Sequence, residues 1–242
     1  MLRRLKLVSA ARPTKKGLND YCAEIRATLP NLDAAALLAK HPGSRRLAKY
    51  AKQDDWIRYN ANICRVLNLI DAPKQRILDV GCGGGLFLRC ARHFGHDGFG
   101  IDVENPLLAE IAAIYGVDRR VAPVRKFTPL EVDGLFDVIT CVATQFDRRK
   151  HSEGAEFWDS EGAEFWGCAE WRFFFEDLDT RMPPTGRVYL RINKEGDLPA
   201  ARDYYNERLR DAMWHANRGL CEFLFDKNAL AITIDSLSRH DC

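Results

Sequence analysis

The 242-residue sequence predicts an α/β fold built on a mostly parallel sheet with helices on both faces. Short apolar runs typical of buried strands alternate with segments whose apolar residues recur at helical spacing. A glycine-rich turn joins the first of these strands, which starts at Arg76, directly to a helix. Near the end of the chain, residues 221–225 and 230–234 predict a closing antiparallel hairpin at one edge of the sheet.

The first part of the chain predicts a helical extension. Apolar spacing indicates helices over residues 18–29, 32–40 and 47–69. We therefore expect two parts, a helical extension over residues 1–73 and a sheet domain over residues 74–242. Residues 1–75 hold fifteen Lys or Arg and six Asp or Glu, whereas the whole chain has a net charge of only +2. We favour solvated helix faces as the explanation, and the alternative is a surface that attracts an acidic substrate, nucleic acid or a membrane.

The sheet domain follows as alternating elements. Strands are predicted near Ile77 and Phe99 and over residues 120–124, 137–143 and 187–192. Helices are predicted from Leu86, from Pro106, over 169–178 and over 199–217. Within the third of these helices, four apolar residues recur at i, i+3, i+4 and i+7, which predicts a face packed on the sheet. They are Trp171, Phe174, Phe175 and Leu178.

The glycine turn carries the strongest functional signal. Residues 76–88 read RILDVGCGGGLFL, a buried strand, a turn with almost no side chains and the start of a helix. Such a turn presents backbone N–H groups and the positive end of a helix to a ligand. Asp79, two residues before the first glycine, would repel the pyrophosphate of a dinucleotide. The same carboxylate suits a ligand that carries an ammonium and a sulfonium, as S-adenosylmethionine does.

The run DVGCGGG resembles motif I of the class I, seven-stranded, S-adenosylmethionine-dependent methyltransferases. The resemblance extends from about Arg76 to Ile234. It implies a Rossmann-like seven-stranded sheet, S-adenosylmethionine as the cofactor and a methyltransferase activity in the cytoplasm. The cofactor-binding residues that it implies are Asp79, Gly81, Cys82, Gly83, Gly85, Asp102, Val103 and Cys141.

Asp102 ends the next predicted strand, GFGIDV. An acid at the tip of the second strand can accept hydrogen bonds from both hydroxyls of a ribose. A dehydrogenase would use the same acid, so Asp102 alone does not discriminate between cofactors. Its alternative role is at the start of a helix over residues 104–115.

The acceptor is harder to predict. After the fourth strand the chain reads ATQFD, without the Asn/Asp-Pro-Pro-Tyr/Phe pattern of enzymes that methylate exocyclic base amines. Gln145, Asp147 and His151 are weak catalytic candidates, and His151 could take a proton unless it is a solvated loop residue. We expect a small-molecule or saccharide-like acceptor. The alternatives are an RNA or protein methyltransferase, or a cofactor-binding protein without transfer activity.

A tandem repeat lies before the aromatic helix. Residues 152–159 read SEGAEFWD and residues 160–167 read SEGAEFWG. One interpretation makes the extra copy a lid over the site that carries Phe157 and Trp158. The other, which we favour, is a tolerated duplication in a surface loop.

Other residue patterns predict little further chemistry. Cys90, His93 and His96 have a spacing that invites a metal site, but no second cluster completes it, so we expect no metal. The eight cysteines form no C-x-x-C pair, and we expect them to be reduced. No apolar run is long enough to span a bilayer. The sequence leaves the oligomeric state open.

Overall fold

A computed structural model describes residues 17–144, 146, 148–150, 159–164, 166–192, 213, 216–219 and 222–239. The helices are α1 (Leu18–Thr28), α2 (Ala34–Lys40), a 3-10 helix (Pro42–Ala51), α3 (Gln53–Val66), α4 (Leu86–His93), α5 (Pro106–Ile114), α6 (Cys168–Thr180) and α7 (Lys227–Leu237). The strands are β1 (Arg76–Val80), β2 (Asp97–Asp102), β3 (Arg119–Val121), β4 (Val138–Val142), β5 (Arg148–Lys150), β6 (Asp159–Glu164), β7 (Arg187–Arg191), β8 (Asn217–Gly219) and β9 (Glu222–Asp226).

Seven strands form one sheet in the order β3-β2-β1-β4-β7-β9-β8. The pairs from β3 to β7 are parallel, and β9 runs antiparallel to both of its neighbours. The predicted Rossmann-like, mostly parallel seven-stranded sheet is therefore confirmed. Because β1, β2, β4 and β7 run in one direction, their carboxyl ends lie at the same edge, where open α/β sheets bind ligands.

Alternate residues of each strand pack against different helices. Ile77, Val138 and Tyr189 belong to a core shared with α1, α3, α4 and α5, which we call the α3–α4 face. Leu78 and its neighbours on β4 and β7 pack on the other side against α6 and α7, which we call the α6–α7 face. The predicted packing of the aromatic helix is confirmed. Its residues Trp171, Phe174, Phe175 and Leu178 are all buried in this second core.

Two predicted elements were wrong. Residues 47–69 do not form one helix, because Lys52 has φ −83° and ψ 78° and separates a 3-10 helix from α3. Asp54 and Asp55 then place negative charge in the first turn of α3, which favours a helix start there.

Residues 230–234, predicted as a strand, lie inside α7. The Asp226 side chain caps this helix by accepting a hydrogen bond from the Ala229 N–H. Leu230, Thr233 and Leu237 are buried at helical spacing. The closing hairpin forms one segment earlier, between β8 and β9. The helix predicted over residues 199–217 falls mostly outside the described residues, and Asn217 begins β8.

The cysteines and His96 were considered as possible redox or metal-binding groups. Among the cysteines that the structure describes, five thiols are free and Cys168 is disulfide-bonded, so the expectation of reduced cysteines fails there. The free cysteines are Cys22, Cys64, Cys82, Cys90 and Cys141. Buried His96 accepts a hydrogen bond from the Gln75 N–H at 3.1 Å, and its Nε2 donates to the Leu69 carbonyl at 2.6 Å. Neither a cluster of three potential metal ligands nor a membrane-spanning helix occurs within the described ranges.

Candidate active site

The glycine turn follows β1 at the carboxyl edge of the sheet. Gly81, Gly83 and Gly85 all have positive φ, between 55° and 77°, a conformation that favours glycine. A Cβ added to Gly81 would lie 2.5 Å from the Thr144 hydroxyl, so this glycine lets β4 approach closely. A Cβ on Gly83 would meet no described atom within 4 Å. Gly83 therefore borders open space, into which a ligand could enter.

Asp79 is a buried acid on the α3–α4 face. Its side chain accepts a hydrogen bond of 2.7 Å from the Thr140 hydroxyl, and the residue is 4% exposed. No described Lys, Arg or His forms an ion pair with it. Burial raises the pKa of Asp79 from 3.8 to about 7, and the charge of Asp102 acts in the same direction. A buried carboxyl without a counter-ion suits a cationic ligand group.

Asp102 binds the turn directly. One carboxylate oxygen accepts from the Gly83 N–H at 2.6 Å, and the other accepts from the Val103 N–H at 2.7 Å. The structure does not support the alternative of a helix start, because Asn105 caps α5 instead. Asp102 therefore holds the glycine turn against the end of β2, with oxygen lone pairs left for a ligand.

The other three residues predicted to bind the cofactor differ in burial and in the face of the sheet on which they lie. Val103 is 54% exposed beside the turn, as a residue that contacts a ligand would be. Cys82 is buried over Gly100, and burial, followed by Asp79 and Asp102, raises the pKa of its thiol. Cys141 belongs to the core of the α6–α7 face, so its side chain lies on the other side of the sheet from Asp79.

Two further residues, which the sequence did not predict, fix this turn. The Arg119 guanidinium donates to the carbonyls of Gly83 at 3.1 Å and Val103 at 2.5 Å. Thr144 donates its hydroxyl to the Val80 carbonyl at 2.6 Å and so connects the ends of β4 and β1. Neither residue belongs to a local motif, and only the pairing of the strands brings them to the turn.

The end of β4 has an unusual backbone. Ala143 has φ 56°, and its N–H donates to the Arg191 carbonyl at the end of β7. A non-glycine residue in this conformation stores strain, which is typical of functional sites. The catalytic candidates that follow in the chain, Gln145, Asp147 and His151, lie outside the described residues. Phe146, between them, is buried.

The second repeat copy contributes a strand and a buried tryptophan. Its first half lies in β6, which pairs antiparallel with β5. Trp166, near its end, is 5% exposed and contacts the rings of Phe146, Trp171 and Phe174. Phe157 and Trp158 of the first copy lie outside the described residues, so both interpretations of that copy stay predictions.

Comparison with known proteins places the site in context. Residues 78–148 match a family model described as a methyltransferase domain. The chain is 36% identical over 74 residues to the ubiquinone biosynthesis O-methyltransferase of Bordetella avium, a match covering 28% of this chain and 30% of the relative. It is 37% identical over 79 residues to the same-named protein of Xanthomonas oryzae, covering 30% and 32%. The chain thus spans about a third of these relatives' length.

The solved structures that match this chain are more distant in sequence. One is CalS10, an amino pentose methyltransferase from Micromonospora echinaspora with S-adenosylmethionine bound. The match has a TM-score of 0.40 and 22% sequence identity, and it covers 57% of this chain and 51% of the CalS10 chain. Another is DesVI of Streptomyces venezuelae, with a TM-score of 0.42, 14% identity and coverages of 63% and 57%.

Proposed function

With the resemblance to class I S-adenosylmethionine-dependent methyltransferases borne out over residues 78–148, we propose that this chain transfers a methyl group from S-adenosylmethionine to a small-molecule or saccharide-like acceptor. The division into a helical extension, residues 1–73, and a methyltransferase domain, residues 74–242, is part of the same proposal. The names of the relatives, which are O-methyltransferases of ubiquinone biosynthesis, support a small-molecule acceptor.

The observation that carries this proposal is Asp79. A dinucleotide would bring pyrophosphate to the glycine turn, and a buried carboxylate beside it would oppose that charge. The ammonium of S-adenosylmethionine would instead give Asp79 its missing counter-ion. Asp102 would then accept hydrogen bonds from the ribose hydroxyls, and Val103 would cover one side of the adenine.

The bound cofactor supplies an already activated methyl group on its sulfonium. The protein therefore has to align the acceptor and exclude water, and no general base is required. The carboxyl ends of β4 and β7, joined through Ala143 and Arg191, border the region where the acceptor would approach. A nucleic-acid or protein acceptor remains the second candidate, since residues 1–75 are basic.

Isothermal titration tests the proposed cofactor. S-adenosylmethionine and S-adenosylhomocysteine should bind, and NAD should not. Asp102→Ala should weaken S-adenosylhomocysteine binding by about 1.5–3 kcal/mol, and should weaken a 2′,3′-dideoxy analogue far less. Tight NAD binding would refute the cofactor, and equal losses for both nucleosides would refute the ribose contact.

Transfer itself is tested separately. Incubation of the protein with labelled cofactor and fractionated cell extract should label a low-molecular-weight fraction. Label that appears only in RNA or protein would favour the macromolecular acceptor. Cofactor binding with no label in any fraction would favour a protein that binds the cofactor without transferring its methyl group.

A further inference from the structure

A polar and aromatic cluster lies beside Asp79, on the α3–α4 face, and contains none of the residues assigned above to cofactor binding. Tyr189 and Arg191 alternate with the core residues of β7, so both project to this face. Glu222 of β9 is the register partner of Arg191. The helical extension covers the cluster with Tyr59 of α3. The cluster thus joins the last strands of the sheet to the extension.

Arg191 is the unusual member of this cluster. Its guanidinium carbon lies 4.8 Å from the centre of the Tyr59 ring, and the residue is half-buried. Within the described part of the chain, no carboxylate forms an ion pair with it. Glu222 interacts with the Tyr189 hydroxyl and, after burial, is the main cause of the raised pKa of Tyr189. A half-buried guanidinium that has a ring contact but no ion-paired carboxylate can bind an anion, and the charge of Glu222 nearby would weaken that binding.

The aromatic side chains around Arg191 extend towards the predicted cofactor. Trp56 stacks on Tyr50 at 5.3 Å and meets Tyr59 edge-on at 5.6 Å. Tyr50 interacts with the charge of Asp102 and Tyr59 with that of Asp79. This row of rings therefore lies near Asp102 and Asp79, the two acids that we assign to the cofactor. A ligand group on Arg191 would be adjacent to the Asp79 end, which we assign to the methionine part.

We propose that Arg191, held in place by the Tyr59 ring, selects acceptors that carry a carboxylate or a phosphate group. The anion would bind the guanidinium, and the rest of the acceptor would extend towards the methyl group. A guanidinium matches both anions because its fork of N–H groups can bind two oxygens at once. This inference rests on the proposed methyltransferase function, and it adds a class of acceptor and the residue that recognises it.

Binding of small anions tests the subsite without a known acceptor. The protein is saturated with S-adenosylhomocysteine, and benzoate is titrated against its neutral counterpart benzamide by saturation-transfer NMR. Benzoate should bind at least about tenfold more tightly than benzamide, and inorganic phosphate should compete with it. Arg191→Gln should remove this preference, and Arg191→Lys should retain part of it.

Glu222→Gln and Arg172→Gln serve as matched variants. Removing the negative charge of Glu222, close to Arg191, should strengthen benzoate binding, by about threefold. Arg172 is an exposed arginine on α6 paired with Glu176, and its substitution should change nothing. Failure of benzoate to bind, equal binding of benzoate and benzamide, or an unchanged preference in Arg191→Gln would each overturn the proposal.

Methyl transfer gives a second readout. In a panel where each carboxylic acid is paired with its amide, labelled methyl should go to the acids, and Arg191→Gln should reduce that transfer by at least about tenfold. S-adenosylhomocysteine affinity is measured in every variant. If the wild-type protein does not bind the cofactor, the proposed function is refuted. If it binds the cofactor but shows no preference for acids over amides, only the role of Arg191 is refuted.

Discussion

The two faces of the sheet differ in what they bury. On the α6–α7 face, β1, β4, β7 and β9 present only apolar side chains to the core, from Leu78 to Phe225. On the α3–α4 face the sheet has apolar core residues, such as Ile77 and Val138, and polar residues near the end at which β1, β4 and β7 finish. Asp79, Thr140, Arg191 and Glu222 all lie towards that end. The apolar face thus stabilises the fold. The polar face buries groups that lose hydration when the chain folds.

Asp79 shows why the polar face costs stability. Its buried carboxyl has one hydrogen bond from Thr140, and its pKa is raised to about 7. The free protein above pH 7 must therefore hold a charge that the unfolded chain would expose to water. On the other face, the rings around Trp166 carry no charge, although the buried indole N–H of Trp171 has no hydrogen-bond partner among the described residues. Substitutions on the two faces should accordingly separate stability from binding.

The largest effect should come from Trp166→Ala on the apolar face. Removal of this buried ring leaves a cavity among Phe146, Trp171 and Phe174 and should lower the free energy of unfolding by about 3–5 kcal/mol. Urea denaturation measures the change. Trp158→Ala, at the matching position of the first repeat copy, is the control and should change stability by less than about 0.5 kcal/mol. Equal losses for both would mean that the first copy is also part of a core.

On the polar face, Asp79→Asn should weaken ligand binding without lowering the stability of the ligand-free protein. It should weaken S-adenosylhomocysteine binding by about 1.5–3 kcal/mol, because the ligand ammonium loses a charged partner. In the ligand-free protein, the folded pKa of about 7 lies above the ordinary value of 3.8, so wild-type stability falls as pH rises between these values and is flat above them. The variant lacks this loss.

Comparison of the free energies of unfolding across pH isolates this effect. The advantage of Asp79→Asn over the wild type should grow by about 2–3 kcal/mol between pH 5 and pH 8. Thr140→Val serves as a related control, because it removes the hydrogen bond to Asp79 and keeps the acid. A pH-independent difference between Asp79→Asn and the wild type would show that Asp79 is ionised throughout this range.

Cofactor affinity should itself depend on pH. Binding of the ammonium requires ionised Asp79, so a proton leaves the protein when ligand binds below pH 7. S-adenosylhomocysteine affinity should fall by up to about tenfold for each pH unit below 7, and Asp79→Asn should flatten that slope. Titration calorimetry in buffers of different ionisation enthalpy counts the protons directly. No proton release at pH 6 would contradict the contact with Asp79.

The smallest expected effect is a difference in cofactor affinity between substitutions of two exposed apolar residues, one beside the glycine turn and one on α7. Val103 and Ile232 are 54% and 47% exposed, respectively, and both should tolerate substitution by alanine without loss of stability. Val103→Ala should weaken S-adenosylhomocysteine binding by about 0.5–1 kcal/mol, because less apolar surface is buried against the adenine. Ile232→Ala on α7 should leave affinity unchanged. Identical affinities in the two variants would remove Val103 from the site.

The sequence predicted those features that depend on local pattern. The strand and glycine turn around Asp79 and the helical aromatic face of α6 are each encoded within a dozen residues. Residues 230–234 were misread because a short apolar run fits a strand or a buried helix equally well, and only the Asp226 cap decides. Arg119, Tyr59 and Arg191 could not be predicted as site residues, because distant segments meet there only after the sheet has formed.

The two groups of proposed site residues lie in different segments of the chain. The segment that matches the methyltransferase model, residues 78–148, supplies β2, β3, β4 and the last three residues of β1, together with Asp79 and Asp102. Arg191, Glu222 and Tyr59 all lie outside that segment. Under the proposed function, mutations in the flanking segments would therefore alter which acceptor binds while the proposed cofactor residues stay unchanged. In that arrangement, the acceptor could be exchanged by substitutions that leave the glycine turn, Asp79 and Asp102 in place.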